Sequence, residues 1–103
     1  MIYLKEHNTP EGKILAMCDS DLIGRVLKDE EIEIDLDKYR NFYIGKEMSE
    51  EEASDFVENS DLLTANVVGK ESTSVFVKLG IAKKVDIRTV NGVPYLHIYK
   101  IKL

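Results

Sequence analysis

Residues 84–99, KVDIRTVNGVPYLHIY, decide the fold, because apolar and polar side chains alternate on both sides of Asn91-Gly92. A two-residue type I′ turn needs a positive φ at both central positions, a requirement that Asn-Gly meets well. Alternating runs on either side of such a dipeptide are typical of a β-hairpin. The sequence therefore predicts that the chain reverses direction at Asn91-Gly92.

The turn also fixes which residues face each other across the hairpin, since successive side chains of a strand point to opposite faces. One face should carry the pairs Val90 with Val93, Arg88 with Tyr95, Asp86 with His97 and Lys84 with Tyr99. The other face should carry Val85, Ile87, Leu96 and Ile98. We expect the aliphatic face to pack against a core and the mixed face to point to solvent.

The mixed face of the hairpin is the main candidate for a binding surface. Proteins that bind single-stranded RNA stack aromatic rings on bases and place cations near phosphates. This pattern predicts a nucleic-acid-binding face made of Lys84, Arg88, Tyr95, His97 and Tyr99. The alternative is that Lys84 and Arg88 lie over tyrosine rings as cation–π pairs on a half-exposed sheet, without any ligand.

The rest of the chain predicts short strands interrupted by helices. Apolar alternation or continuous apolar runs predict strands at residues 2–7, 14–18 and 31–36, and helical spacing predicts helices at 20–27, 49–59 and 70–79. Ser49 and Glu52 form a capping box at the start of the second helix, and Gly80 ends the third. Residues 62–68 read as a short buried segment. Together these elements predict an α+β fold with a largely antiparallel sheet, two or three short helices and a C-terminal amphipathic hairpin.

Size and composition fit a single globular domain over residues 1–103, with 44% hydrophobic and 32% charged residues. The N-terminus does not resemble a signal peptide, and no apolar run reaches the length of a membrane span. A single cysteine, Cys18, excludes an internal disulfide and a zinc site built on a cysteine pair. We therefore expect a cytoplasmic protein with no membrane contact, no metal and no cofactor.

The charge of the chain is unevenly distributed along the sequence. Residues 1–65 hold 7 Lys and Arg against 17 Asp and Glu, a net charge of −10, whereas residues 66–103 hold 7 against 2, a net charge of +5. A basic patch can attract nucleic acid at short range even when the whole protein is acidic. The alternative is that these charges disperse over solvated faces once the chain folds.

Two other segments suggest weaker sites. Gly69 and Lys70 precede a predicted helix, so free backbone amides there could bind an anion, although ordinary helix capping explains the same residues. A complete phosphate-binding P-loop is excluded, because Thr64 stands where its first glycine belongs. Cys18 could act as a thiol nucleophile, but it ends an apolar run and fits a small core residue better. No set of residues has the spacing of a catalytic site.

Four short blocks carry a family resemblance. They are Cys18-Asp19-Ser20-Asp21-Leu22-Ile23-Gly24, Phe42-Tyr43-Ile44-Gly45, Ala65-Asn66-Val67-Val68-Gly69 and Val93-Pro94. In this order they make nearly the whole chain resemble the archaeal family known as domain of unknown function 424. The resemblance implies an archaeal cytoplasmic protein without established catalytic residues, in an RNA or ribosome context. The chain departs from the family pattern at Tyr95, where a histidine is usual, and at Lys70, where an acid is usual.

These observations predict a non-enzymatic accessory protein that binds RNA or a ribonucleoprotein, in a translation context, through the basic aromatic hairpin. A first alternative is a protein interaction module that uses the acidic residues 1–65. A second alternative is a small enzyme. Neither the strand order nor the oligomeric state follows from any of these patterns.

Overall fold

A computed structural model describes residues 1–61 and 64–99, which form eight strands and three α-helices. The strands are β1 (Ile2–Thr9), β2 (Gly12–Asp19), β3 (Val26–Lys28), β4 (Glu33–Asp35), β5 (Lys46–Met48), β6 (Thr64–Val68), β7 (Arg88–Val90) and β8 (Val93–Tyr99). The helices are α1 (Arg40–Tyr43), α2 (Glu50–Glu58) and α3 (Lys70–Lys78), and 3-10 turns lie at Ser20–Leu22 and Lys84–Asp86. The predicted α+β class is confirmed.

Six strands form one sheet in the order β5-β1-β2-β6-β8-β7, and β3 pairs with β4 in a separate small sheet. The first hairpin pairs β1 with β2 along its whole length, from Ile2 opposite Asp19 to Thr9 opposite Gly12. Among the described strands only β2 and β6 run parallel, and the long connection between them, which contains β3, β4, α1, β5 and α2, allows this arrangement. The sheet is therefore largely antiparallel, as the sequence predicts.

Helices α2 and α3 cover one face of the six-stranded sheet. The capping box of α2 is present, since Ser49 Oγ accepts from Glu52 N and Glu52 Oε1 accepts from Ser49 N. The helices bury their apolar stripes against alternate residues of the central strands; the core members include Ala53, Val57, Val75, Phe76, Leu15, Met17, Val67 and Leu96. None of the described helices is long and apolar enough to cross a membrane.

The small sheet and α1 cover part of the opposite face. Leu27 from β3, Leu36 after β4 and Tyr43 from α1 pack on the remaining apolar residues of the large sheet, which include Ala16, Cys18, Val68, Val90 and Tyr95. Leu36 N donates to Arg25 O, and Gly24 N donates to Leu36 O, so backbone hydrogen bonds join the two ends of this covering layer. The rest of this sheet face stays open, and it holds the candidate site.

The predicted helix between Ser20 and Leu27 is wrong. The chain forms a 3-10 turn at Ser20–Leu22 and then enters strand β3, and Gly24 has a φ of 93° that a helix does not allow. The predicted strand at 31–36 is confirmed in its central part as β4. The segment predicted at 62–68 is strand β6 from Thr64 onward, and residues 62–63 lie outside the described range.

The C-terminal hairpin is correct at its turn and wrong at its base. Asn91 and Gly92 have φ values of 51° and 77°, and Arg88 pairs with Tyr95 as predicted. The predicted pairs of Asp86 with His97 and of Lys84 with Tyr99 do not form, because residues 84–86 turn away from the sheet. As a result Val85, expected in the core, is 87% exposed.

Candidate functional site

Three rows of side chains cross the face of the sheet opposite α2 and α3. The strand register places Tyr3, Cys18, Val68, Tyr95 and Arg88 in the first row, Lys5, Ala16, Asn66 and His97 in the second, and His7, Ile14, Thr64 and Tyr99 in the third. The middle of the first row, Cys18, Val68 and Tyr95, lies beneath the small sheet. The second and third rows extend beyond it, so their β6 and β8 members form an open surface.

Tyr95 belongs to the covered part of this face. It is 6% exposed and packs in the same cluster as Cys18, Val68 and Val90. The expectation that Tyr95 points to solvent is therefore wrong. Its burial follows from the covering layer, which comes from residues far away along the chain.

His97 and Tyr99 continue the same line of rings into solvent. The His97 ring centroid lies 5.9 Å from that of Tyr95 and 6.5 Å from that of Tyr99, with edge-to-face geometry at both contacts. Tyr99 is 72% exposed. Asn66, half-buried, lies beside His97 on the neighbouring strand. We call Asn66, His97 and Tyr99 the open aromatic face.

A cleft of about 620 Å³ lies between the open aromatic face and α1. Tyr39, Phe42 and Tyr43 line it on the α1 side, and Asn66 and His97 line it on the sheet side. Tyr39 is 55% exposed, with Lys38 Nζ 5.4 Å from its ring centroid. The cleft therefore presents flat aromatic groups on both sides together with the amide side chain of Asn66.

Three contacts hold α1 against the sheet and so fix the position of Tyr39, Phe42 and Tyr43, the aromatic wall of the cleft. The His7 ring stacks on Phe42 at a centroid distance of 4.4 Å and an interplanar angle of 9°. His7 Nε2 lies 2.8 Å from Phe42 O, and Lys5 Nζ donates to Asn41 O over 2.7 Å. Polar contacts and ring stacking together make the wall a defined surface rather than a loose loop.

The two predicted cations lie apart from the open face. Arg88 is on edge strand β7, and Lys84 is in the 3-10 turn, where both are exposed. Within residues 1–61 and 64–99 the cation–π contact is that of Lys38 with Tyr39, so the alternative interpretation, in which Lys84 and Arg88 stack on tyrosine rings, is wrong. Arg88 remains near β8, because it lines a groove together with His97 and Tyr99, and Lys84 is next in sequence to Val85, which lines the same groove.

The predicted anion site at Gly69 and Lys70 is already filled by a side chain of the protein. Asp19 accepts hydrogen bonds from Glu71 N at 3.1 Å, Ser72 N at 2.9 Å and Ser72 Oγ at 2.8 Å. A Cβ at position 69 would collide with the Asp19 carboxylate, so glycine is required there. These contacts take the amides that an external anion would need, while Lys70 points to solvent.

Cys18 is fully buried in the covered part of the face. Burial, with a smaller contribution from the nearby carboxylates of Asp19 and Asp21, raises the pKa of its thiol to about 12. The thiol is therefore protonated at neutral pH, unlike the thiolate that a nucleophilic cysteine needs. The interpretation of Cys18 as a small core residue is confirmed. Among the described residues, no three His, Cys, Asp or Glu side chains cluster closely enough to hold a metal ion.

Comparison with known proteins places this chain in a family. A family model described as "Protein of unknown function (DUF424)" matches residues 6–101. The chain belongs to the DUF424 family. A solved structure, described as an uncharacterized conserved protein from Methanopyrus kandleri, is similar to it with a TM-score of 0.81 and 30% sequence identity. That similarity covers 99% of this chain and 93% of the other. No curated protein matches the chain.

Sequence reasoning missed three residues of the site in this DUF424 member, namely Asn66, Tyr39 and Phe42. Asn66 is the polar residue within the apolar run of β6, and Tyr39-Arg40-Asn41-Phe42-Tyr43 holds three aromatic rings in five positions. Both features are visible in the sequence. What the sequence lacked was the strand order that brings β6 next to β8 and places α1 across from them.

Proposed function

We propose that this DUF424 protein is a non-enzymatic accessory protein that binds single-stranded RNA, free or within a ribonucleoprotein, through the open aromatic face and the adjoining cleft. The observation that supports this proposal best is the pair of exposed rings on the open sheet face, His97 and Tyr99, because His97 also lines a cleft together with Tyr39 and Phe42. Exposed rings on a sheet are the stacking surface that single-stranded nucleic acids use. A cytoplasmic, translation-related setting is part of the proposal.

The shape of the cleft supports binding of an unpaired base rather than a duplex. Its aromatic walls offer flat surfaces on which a base can stack, and its floor offers the Asn66 amide, which can both donate and accept hydrogen bonds. Asn66 makes no side-chain hydrogen bond within the described part of the chain. Double-stranded RNA is recognised instead through phosphates and 2′-hydroxyls over a wide surface, which this cleft does not resemble.

The charges around the site favour one orientation of the strand. Glu33 and Asp35 line the cleft beside Lys38, and carboxylates repel phosphates but accept hydrogen bonds from the N–H groups of bases, such as the ring N–H of uracil. Arg88 and Lys84 lie on the opposite side of β8, where a phosphate backbone would meet positive charge. We therefore place bases toward the cleft and the phosphate backbone toward the β7 side. The acidic remainder of the protein would limit unspecific binding.

Fluorescence anisotropy with a labelled octauridylate tests the proposal. We expect the affinity to fall as salt rises, because phosphate contacts release counterions. Tyr99→Ala should weaken binding by roughly ten- to a hundredfold, in line with the 1 to 3 kcal/mol of a base–aromatic stack. The matched variant Tyr99→Phe keeps the ring and should bind nearly as well as wild type. Equal binding by Tyr99→Ala and wild type, or salt-independent binding, would refute the proposed surface.

A second candidate function is protein interaction through the acidic part of the chain. A groove of about 620 Å³ beside α2 is lined by Leu4 and Met48, each only 5% exposed, and by the half-buried Phe56. Glu6, Glu52 and Asp55 stand around it with Lys46. An apolar floor with an acidic rim suits a basic amphipathic segment of a partner protein. Affinity capture from native lysate, with and without nuclease, separates the two functions. A protein partner that survives nuclease and is lost with Glu6→Lys/Asp55→Lys would favour this second function.

A further inference from the structure

A second, independent feature of the molecule is the outer edge of β8, which β7 covers only in part. Strand β7 begins only at Arg88 and pairs with Val93, Pro94 and Tyr95. Within residues 1–61 and 64–99, no strand pairs with His97 or Tyr99 on that side. Edge segments of this kind carry backbone donors and acceptors that can pair with another extended chain.

The hydrogen-bond pattern shows which backbone groups face this edge. Gly69 N donates to Pro94 O over 2.8 Å, so the carbonyl of Pro94 points toward β6. Backbone groups of successive residues alternate between the two sides of a strand. The backbone N–H and C=O groups of Leu96 and Ile98 therefore face β6, while those of His97 and Tyr99 face the open side. Two residues, four backbone groups in all, are available to an incoming strand.

The turn before β7 keeps the edge open. Asp86 Oδ2 accepts a hydrogen bond from Lys83 N over 2.9 Å, and Ile87 N donates to Lys84 O, so residues 83–87 curl away from the line that β7 would follow. A groove of about 410 Å³ results between this turn and β8. Val85, Ile81 and Ile98 supply its apolar lining.

We propose that this edge binds an extended peptide in which acidic and apolar residues alternate, by adding it as a strand to β8. Every second residue of the peptide would place an apolar side chain against Ile81, Val85 and Ile98. The acidic residues between them would place their carboxylates on the side of Arg88, near the exposed cations of Lys83 and Lys84. The Asp86 carboxylate is the acid of the groove, and one of its oxygens is bonded to Lys83 N. Backbone pairing supplies affinity in such complexes, and the side-chain pockets supply specificity.

Charge also decides between this peptide and a second copy of the same chain. The same edge of a second copy carries the same exposed cations, Arg88 and Lys84, and so offers no row of carboxylates to pair with them. An acidic peptide meets the same cations favourably. The proposal does not depend on RNA binding, because the backbone groups at the sheet edge supply the pairing. Of the proposed RNA-binding surface it shares the cations Arg88 and Lys84, but it makes no use of the rings on the sheet face.

The test uses the probe acetyl-(Glu-Val)₃-amide, with binding followed by the backbone amide signals of the labelled full chain. We expect saturable shifts of the His97 and Tyr99 amides. The backbone amides of every second probe residue would face β8. N-methylation of these residues should weaken binding by about tenfold or more, because it removes the donors that pair with β8. N-methylation of the other residues should change binding by less than about twofold. Equal effects of both methylation patterns, or no shift at His97 and Tyr99, would overturn the proposal.

Two controls address charge and self-association. A probe of alternating Lys and Val should bind at least about tenfold more weakly than the acidic probe. In Arg88→Glu this order should be reversed. The amide signals of β6 and β8 in this variant check that the sheet is intact. Equal binding of both probes would contradict the role of charge. Sedimentation measures the second copy directly, and a dimer that excludes the acidic probe would show that another chain, not a peptide, occupies the edge.

Discussion

Asp19 shows how one buried side chain can join two distant parts of the chain. It ends β2, yet its carboxylate caps α3 through Glu71 N, Ser72 N and Ser72 Oγ. The sequence predicted a local helix over residues 20–27, and an acid such as Asp19 just before such a run is a common N-cap. That cap belongs instead to a helix fifty residues away. A local pattern cannot distinguish these cases, since both satisfy the same residue preference.

Removal of this cap should destabilise the protein. In Asp19→Ala the amides of Glu71 and Ser72 and the Ser72 hydroxyl lose their acceptor in a buried place, and we expect a loss of about 3 kcal/mol in the free energy of unfolding. Urea denaturation measures it. The surface variant Asp21→Ala is the matched control and should change stability by less than about 0.5 kcal/mol. Similar values for the two variants would contradict the capping role.

The pH dependence of stability should also identify Asp19. Desolvation by burial, reinforced by the Glu71 charge, raises its pKa above the ordinary 3.8, although the hydrogen bonds from Ser72 and Glu71 act in the opposite direction. A raised pKa means that the folded state holds the proton more tightly than the unfolded state. The resulting stabilisation is complete below pH 3.8 and is lost as pH rises through the folded pKa. As pH rises from 3.8 through the folded-state pKa, the free energy of unfolding of wild type should therefore fall relative to that of Asp19→Asn. A rise would contradict the raised pKa of Asp19.

Elements whose signals are local were predicted well. The capping box of Ser49 with Glu52 and the Asn91-Gly92 turn each depend on residues within four positions, and both are present. The hairpin beyond the turn was predicted too long, because alternation alone continued the strand to Lys84. The Asp86 cap of the 3-10 turn, which diverts the chain there, competes with that alternation and prevails.

The turn should be sensitive to its glycine for a purely conformational reason. Gly92 has a φ of 77°, and a Cβ at this position would meet no atom within 4 Å. Gly92→Ala should therefore cost about 1 kcal/mol through backbone strain alone. Asn91→Gly is the matched change, since glycine also accepts a positive φ, and its effect should be small. Thermal unfolding of both variants measures the difference, and an unchanged stability of Gly92→Ala would contradict the strained turn.

At the scale of the whole molecule, the strand order decided what the sequence could not. The chain predicted the α+β class, but nothing in it placed β6 between β2 and β8, or the small sheet above Tyr95. A hint was present in the apolar residues Val90, Val93 and Tyr95 on the face expected to be polar. Next to the aliphatic set on the other face, they indicate a strand end buried on both sides. The predicted aromatic surface is therefore displaced toward His97 and Tyr99 and gains Asn66, Tyr39 and Phe42.

Titration of the isotope-labelled protein with unlabelled octauridylate at low salt, followed by backbone amide chemical shifts, tests the central proposal most directly. RNA binding at the open aromatic face predicts that the largest shifts lie at Asn66, His97 and Tyr99 and in α1, with little change in α2 and α3. A complete absence of shifts, or shifts confined to α2 and the acidic groove beside it, would contradict the proposed RNA-binding surface.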